Sequence, residues 1–77
     1  MDIRESIRKE IEKMAALPEG TVSYSADFSE YPIDSLMIVQ LVAMIEDDFD
    51  IIIPDDKLKE MTSVDAVAKL IEEIKNE

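Results

Sequence analysis

The stretch Asp34-Ser35-Leu36-Met37-Ile38-Val39-Gln40-Leu41-Val42-Ala43-Met44-Ile45-Glu46-Asp47-Asp48-Phe49 decides the fold. It reads as a helix that opens on a serine and closes in acid. Asp34 serves as the N-cap acceptor, which puts Ser35 in the first turn, where unpaired backbone N–H groups and the helix dipole favour an anion. A phosphodiester on Ser35 suits that place. At about 100° per residue, Ile38, Leu41, Val42, Ile45 and Phe49 fall on one side and form the expected core face. Opposite them, Leu36, Val39 and Ala43 share an exposed strip with Gln40, Glu46, Asp47 and Asp50. An apolar strip rimmed by carboxylates, beside one exposed hydroxyl, has the anatomy of a docking surface with a single modifiable group.

Two further amphipathic segments flank this helix. From Asp2 to Leu17, Ile3, Ile7, Ile11 and Met14 recur at spacings of three and four, and Pro18 and Gly20 end the pattern. At the other end Val64, Val67, Ala68, Ile71 and Ile74 keep helical spacing, and Lys75 suits the C-terminal dipole. Thr62-Ser63-Val64-Asp65 offers a capping box, in which the hydroxyl of Thr62 or Ser63 starts that helix.

Residues 18–33 carry no helical period and read as one long connection, with Val22, Tyr24, Phe28, Tyr31 and Ile33 as apolar anchors over the helix ends. Asp50-Ile51-Ile52-Ile53-Pro54 is β-branched but has no partner strand. It therefore reads as an extended crossing with Ile51 and Ile53 inward. Asp55 to Met61 fits a short helix that turns Leu58 and Met61 to the core. The expected fold is thus all-α, a small four-helix bundle of three longer helices and one short helix, with a long loop between helices 1 and 2. Residues 1–77 form a single domain on this reading.

Composition removes whole classes of function. The chain has no cysteine and no histidine, so disulfides, thiolate metal sites and the usual general bases are missing. Nothing resembles a Ser-His-Asp set or a nucleophile elbow, and unaided catalysis is not expected. Eight Lys plus Arg against nineteen Asp plus Glu leave a net charge of −11. That excludes a nucleic-acid partner and steers the protein toward basic patches on other proteins. No segment reaches the roughly 18 apolar residues of a membrane span, and the N-terminus is not a secretory signal. The expectation is a cytoplasmic monomer. The acids between Asp47 and Asp56 fail as a calcium loop, because counting from Asp48 puts Ile52 and Ile53 at positions 5 and 6, where an acid and a glycine belong. No metal site is expected.

Asp34-Ser35-Leu36, followed by Val39, Leu41-Val42, Glu46-Asp47-Asp48-Phe49-Asp50 and Ile53-Pro54-Asp55, resembles the acyl carrier proteins, and the likeness runs more weakly over nearly the whole chain. Three common residues alone are a weak signal; joined to the acidic run and the Phe-Asp-Ile-x-Ile-Pro pattern they are specific. The resemblance implies that Ser35 bears 4′-phosphopantetheine, donated by coenzyme A, whose thiol holds acyl groups as thioesters. A chain without cysteine needs such a borrowed thiol. Asp34 would help the transferring carrier protein synthase, a phosphopantetheinyl transferase, position magnesium and coenzyme A. Leu36, Met37, Val39, Gln40, Ala43, Glu46, Asp47, Asp55 and Asp56 would meet acyl-transferring and chain-elongating enzymes through basic or apolar docking patches.

The pathway implied is fatty acid, polyketide or related synthesis, and a carried fatty chain would tuck among residues such as Leu41, Ile45 and Leu58. The competing reading is an acidic interaction module or mimic without a prosthetic group. Several positions depart from the family pattern. Pro32 stands where glycine usually precedes the motif, Tyr31 replaces a common leucine, and the loop from Phe28 is one residue shorter. Met37, Gln40 and Met44 make the start of the recognition helix less acidic and more apolar than usual.

Overall fold

A computed structural model describes residues 2–76. Three α-helices, α1 (Ile3–Met14), α2 (Ser35–Phe49) and α3 (Val64–Lys75), are joined by segments that carry a 3₁₀ turn at Phe28–Glu30 and a 3₁₀ helix at Asp55–Glu60. Among the described residues there is no strand. The all-helical expectation therefore holds, with Asp55–Glu60 as the one short helix.

Ile7 and Ile11 of α1, Leu41 and Ile45 of α2, and Val64, Val67 and Ile71 of α3 are buried to within 1% of complete. Helical spacing put all of these on core faces; Leu70, which the periodicity missed, is also buried. Ile38, Val42 and Phe49 pack against this core while staying partly exposed. The β-branched segment after α2 is an extended crossing: Ile53 is buried, Ile51 half-buried and Ile52 81% exposed. Its anchor is Glu46, whose Oε2 accepts a hydrogen bond from the Ile53 N–H at 2.8 Å.

Three local details differ from the sequence expectation, each for a local reason. Helix α1 stops at Met14, not Leu17. Ala16 turns left-handed (φ 56°), its N–H reaching the Lys13 carbonyl and the Leu17 N–H the Glu12 carbonyl, which is the paired closure of a Schellman end. Pro18 and Gly20 therefore lie beyond the stop rather than making it. The connection 18–33 is not wholly irregular, because Asp27 caps the turn at Phe28–Glu30 and the Glu30 side chain returns to the Asp27 N–H, a complete capping box. At α3 the expected capping box is absent. Ser63 is the N-cap, accepting from the Ala66 N–H at 3.1 Å, so the third helical position is an alanine with no carboxylate to reply.

The long connection is pinned to the body as its apolar anchors suggest. Val22 and Phe28 are buried, and Tyr24, Tyr31 and Ile33 pack against the core. Phe28 N–H donates to the Thr62 carbonyl at 2.8 Å and Asp65 N–H to the Tyr24 carbonyl at 3.0 Å, tying the loop to the start of α3. Tyr24 also lies under Arg4 and Arg8, 4.8 and 5.1 Å from its ring centre, while its hydroxyl donates to Glu5 at 2.6 Å. The Tyr24 hydroxyl, and after it the Arg8 guanidinium, hold the Glu5 carboxyl below its ordinary range; the same hydroxyl bond raises Tyr24. A radius of gyration of 11.5 Å equals the value of about 11.5 Å expected for a folded chain of this length, so the loop adds no bulge.

Candidate functional site

Ser35 is exposed at the first position of α2. Asp34 caps the helix as expected: its Oδ1 accepts from the Met37 N–H at 2.9 Å and its carbonyl from the Ile38 N–H at 3.2 Å. These bonds leave the Ser35 and Leu36 N–H groups without an acceptor among the described residues. An exposed hydroxyl thus stands beside two free amides at the positive end of a four-turn helix, a setting that stabilises an anionic ester.

Beside the hydroxyl opens a cleft of about 320 Å³ between α2 and the Asp55–Glu60 helix, lined by Ser35, Ile38, Val39, Leu58, Lys59 and Met61. Its walls are mostly hydrocarbon. Leu58 was expected in such a lining and is there, but Leu41 and Ile45 are not: both are fully buried in the core, nearly two and nearly three turns past Ser35 on α2. Ile38, Val39 and Met61 take their place. A larger groove of about 500 Å³ lies between α1 and α2 near Met44 and Phe49. That is about 14–21 Å along the helix from Ser35, so the cleft that adjoins the hydroxyl is the one relevant to its chemistry.

The outer strip of α2 is where the helical count put it. Leu36 is 65% and Val39 54% exposed, and Gln40, Ala43 and Asp47 are exposed with them; Asp55 and Asp56 stand exposed at the start of the 3₁₀ helix. Two residues of the expected surface are less free. Met37 is half-buried, and Glu46 is half-buried because its carboxylate holds the Ile53 N–H. Glu46 therefore shapes the surface as well as bordering it. The sequence reading missed Ile52, which the Glu46 clasp presents as an exposed apolar side chain; the signal was a third isoleucine in a run where alternation needs only two inside. Among the described residues no group of three or more acids is placed to hold a metal ion, and no helix is long and apolar enough to cross a membrane.

A family profile described as a phosphopantetheine attachment site matches residues 5–71. The acyl carrier protein of Phenylobacterium zucineum is 37% identical over 73 residues, which cover 94% of this chain and 92% of that protein. This chain belongs to the acyl carrier protein family. The chloroplastic acyl carrier protein 1 of Hordeum vulgare is 34% identical over 68 residues, 87% of this chain but 46% of the barley protein, so the chain spans about half the length of that relative. The solution structure of a holo acyl carrier protein from Nitrosomonas europaea matches with a TM-score of 0.81 over the full length of both chains, at 22% identity, and shares the fold. As a member of the acyl carrier protein family the chain is a carrier and not a catalyst, and the prosthetic group of its domain is 4′-phosphopantetheine.

Proposed function

We propose that Ser35 is the attachment point of 4′-phosphopantetheine and that the arm's thiol holds acyl intermediates as thioesters for biosynthetic enzymes of fatty acid, polyketide or related synthesis. The observation that supports this best is the junction at Ser35: an exposed hydroxyl, two free amides at the same helix end and an apolar cleft opening beside them. The group fits these residues. A phosphodiester is an anion and meets the amides, while hydrocarbon cargo meets Ile38, Val39, Leu58 and Met61. The group, when bound, supplies the thiol that the chain lacks.

The chain's own residues hold and present. Asp34 fixes the first turn of α2 so that the hydroxyl faces solvent, and its free Oδ2 is available to the transferase that loads the arm. Leu36, Val39 and Ala43 offer apolar contact along α2, and the exposed Ile52, Asp47, Asp55 and Asp56 add apolar and acidic groups, which suits an enzyme surface with apolar and basic patches. A cytoplasmic setting, beside carrier protein synthase and the acyl-transferring enzymes, accords with this role.

The test is to recover the protein from its native cells and treat it with neutral hydroxylamine, which cleaves thioesters. Release of acyl hydroxamates from the wild type, and none from Ser35→Ala, is the expected result. A wild type that carries no hydroxylamine-labile acyl group, yet still binds its enzymes, would favour an acidic mimic instead.

A further inference from the structure

Lys59 is the one cation among the residues that line the cleft beside Ser35. It is exposed, and among the described residues it forms no ion pair, although the chain carries a net charge of −11. Lys57, two residues earlier on the same 3₁₀ helix, is paired with Glu60 at 3.4 Å. Lys9, Lys13, Lys69 and Lys75 form no ion pair among the described residues either, so what sets Lys59 apart is its place: it shares a cleft with the Ser35 hydroxyl, where a negative charge is due to arrive. Asp34, immediately before Ser35, is itself an exposed carboxylate and repels a neighbouring phosphate, so a cation on the cleft wall adds to what the two free amides supply.

We propose that Lys59 is the counter-ion for the phosphodiester of the Ser35-linked arm, holding the root of the arm over the apolar cleft rather than leaving it to swing in solvent. The inference rests on the reading of Ser35 as the attachment point. Its consequence is positional. With the root anchored toward the Asp55–Glu60 helix, the first part of the arm runs along Leu58 and Met61, and cargo enters the cleft from that side. An exposed ammonium interacting with one phosphate charge gives a contact that salt screens.

The test uses the full chain, unloaded and then loaded from coenzyme A by a carrier protein synthase, with loading verified by intact mass. In the wild type the side-chain CεH₂ resonances of Lys59 are expected to shift on loading while those of Lys57 stay in place. The ³¹P resonance of the phosphodiester is expected to move between low salt and 1 M salt, where the screening length is about 3 Å. Lys59→Arg should keep that salt response and Lys59→Met should abolish it. Unchanged Lys59 resonances in a protein that has gained the group, or a salt response in Lys59→Met equal to that of the wild type, would overturn the proposal while leaving Ser35 as the attachment point. A wild type that gains no mass would remove both.

Discussion

The carboxylate of Glu12, 3% exposed in the core, accepts a hydrogen bond from the backbone N–H of Val22 at 2.9 Å. Val22 is itself 1% exposed, so no water replaces that acceptor if it is lost. This buried polar contact fastens the long connection to α1. Glu12→Leu should cost about 1–3 kcal/mol, the penalty of a stranded buried donor, whereas Glu12→Gln keeps a carbonyl acceptor and should cost less than half as much. Urea unfolding of the two variants checks the order.

The left-handed end of α1 is occupied by Ala16 where glycine is preferred. An L-residue there costs about 1–2 kcal/mol, so Ala16→Gly should stabilise the fold by about 1 kcal/mol and raise the Tm by roughly 4–8 °C. A thermal melt of that single variant is sufficient.

Glu5 carries a pH prediction. Its carboxyl is held below the ordinary value chiefly by the Tyr24 hydroxyl, so the stability it contributes is present above the unfolded pKa of about 4.3 and is lost as pH falls through the lower folded value. Tyr24 is raised by the same bond, and its contribution is present below the unfolded pKa of about 10 and lost as pH rises through the higher folded value. In Tyr24→Phe the Glu5 carboxyl, followed by ¹³C titration, should move up toward the ordinary range, and the variant's stability should fall less steeply in acid than the wild type's.

Much of this architecture is legible in the residue pattern because it is local or periodic. The core faces of α1, α2 and α3 follow from spacing, the Asp34 cap from one side chain and its neighbours, and the exposure of Leu36 and Val39 from the helical angle. What escaped the pattern depends on contacts between segments distant in sequence. Glu12 looks like one more surface acid on an amphipathic helix until the loop brings Val22 back over it. Lys59 gains meaning only when the 3₁₀ helix packs on α3 and comes to share a cleft with Ser35. The end of α1 was misplaced because Pro18 and Gly20 are stronger punctuation in a sequence than an alanine taking a positive φ. Leu41 and Ile45 were correctly assigned to the apolar face, but that face is wide, and only packing distinguishes the core from the cleft wall.

The charge balance predicts a salt response. With a net charge of −11 the folded state repels itself, so raising ionic strength from about 10 mM to 150 mM, or adding a divalent cation, should raise the Tm. Differential scanning calorimetry across that range checks it.

The early part of α2 sets partner preference on the carrier reading. Gln40 is exposed and Met37 half-buried, and neither presents a charge to a partner. Met37→Asp with Gln40→Glu should slow transfer by the cognate enzymes several-fold and improve use by a generic fatty acid synthase, through the rate of encounter with a basic surface. Steady-state comparison with both enzymes measures the change.

Attachment at Ser35 is tested most directly by intact mass after incubation with coenzyme A, magnesium and a carrier protein synthase. The wild type should gain one phosphopantetheine, Ser29→Ala should gain one as well, and Ser35→Ala should gain none. A wild type of unchanged mass, or a Ser35→Ala protein that still takes up the group, would contradict it.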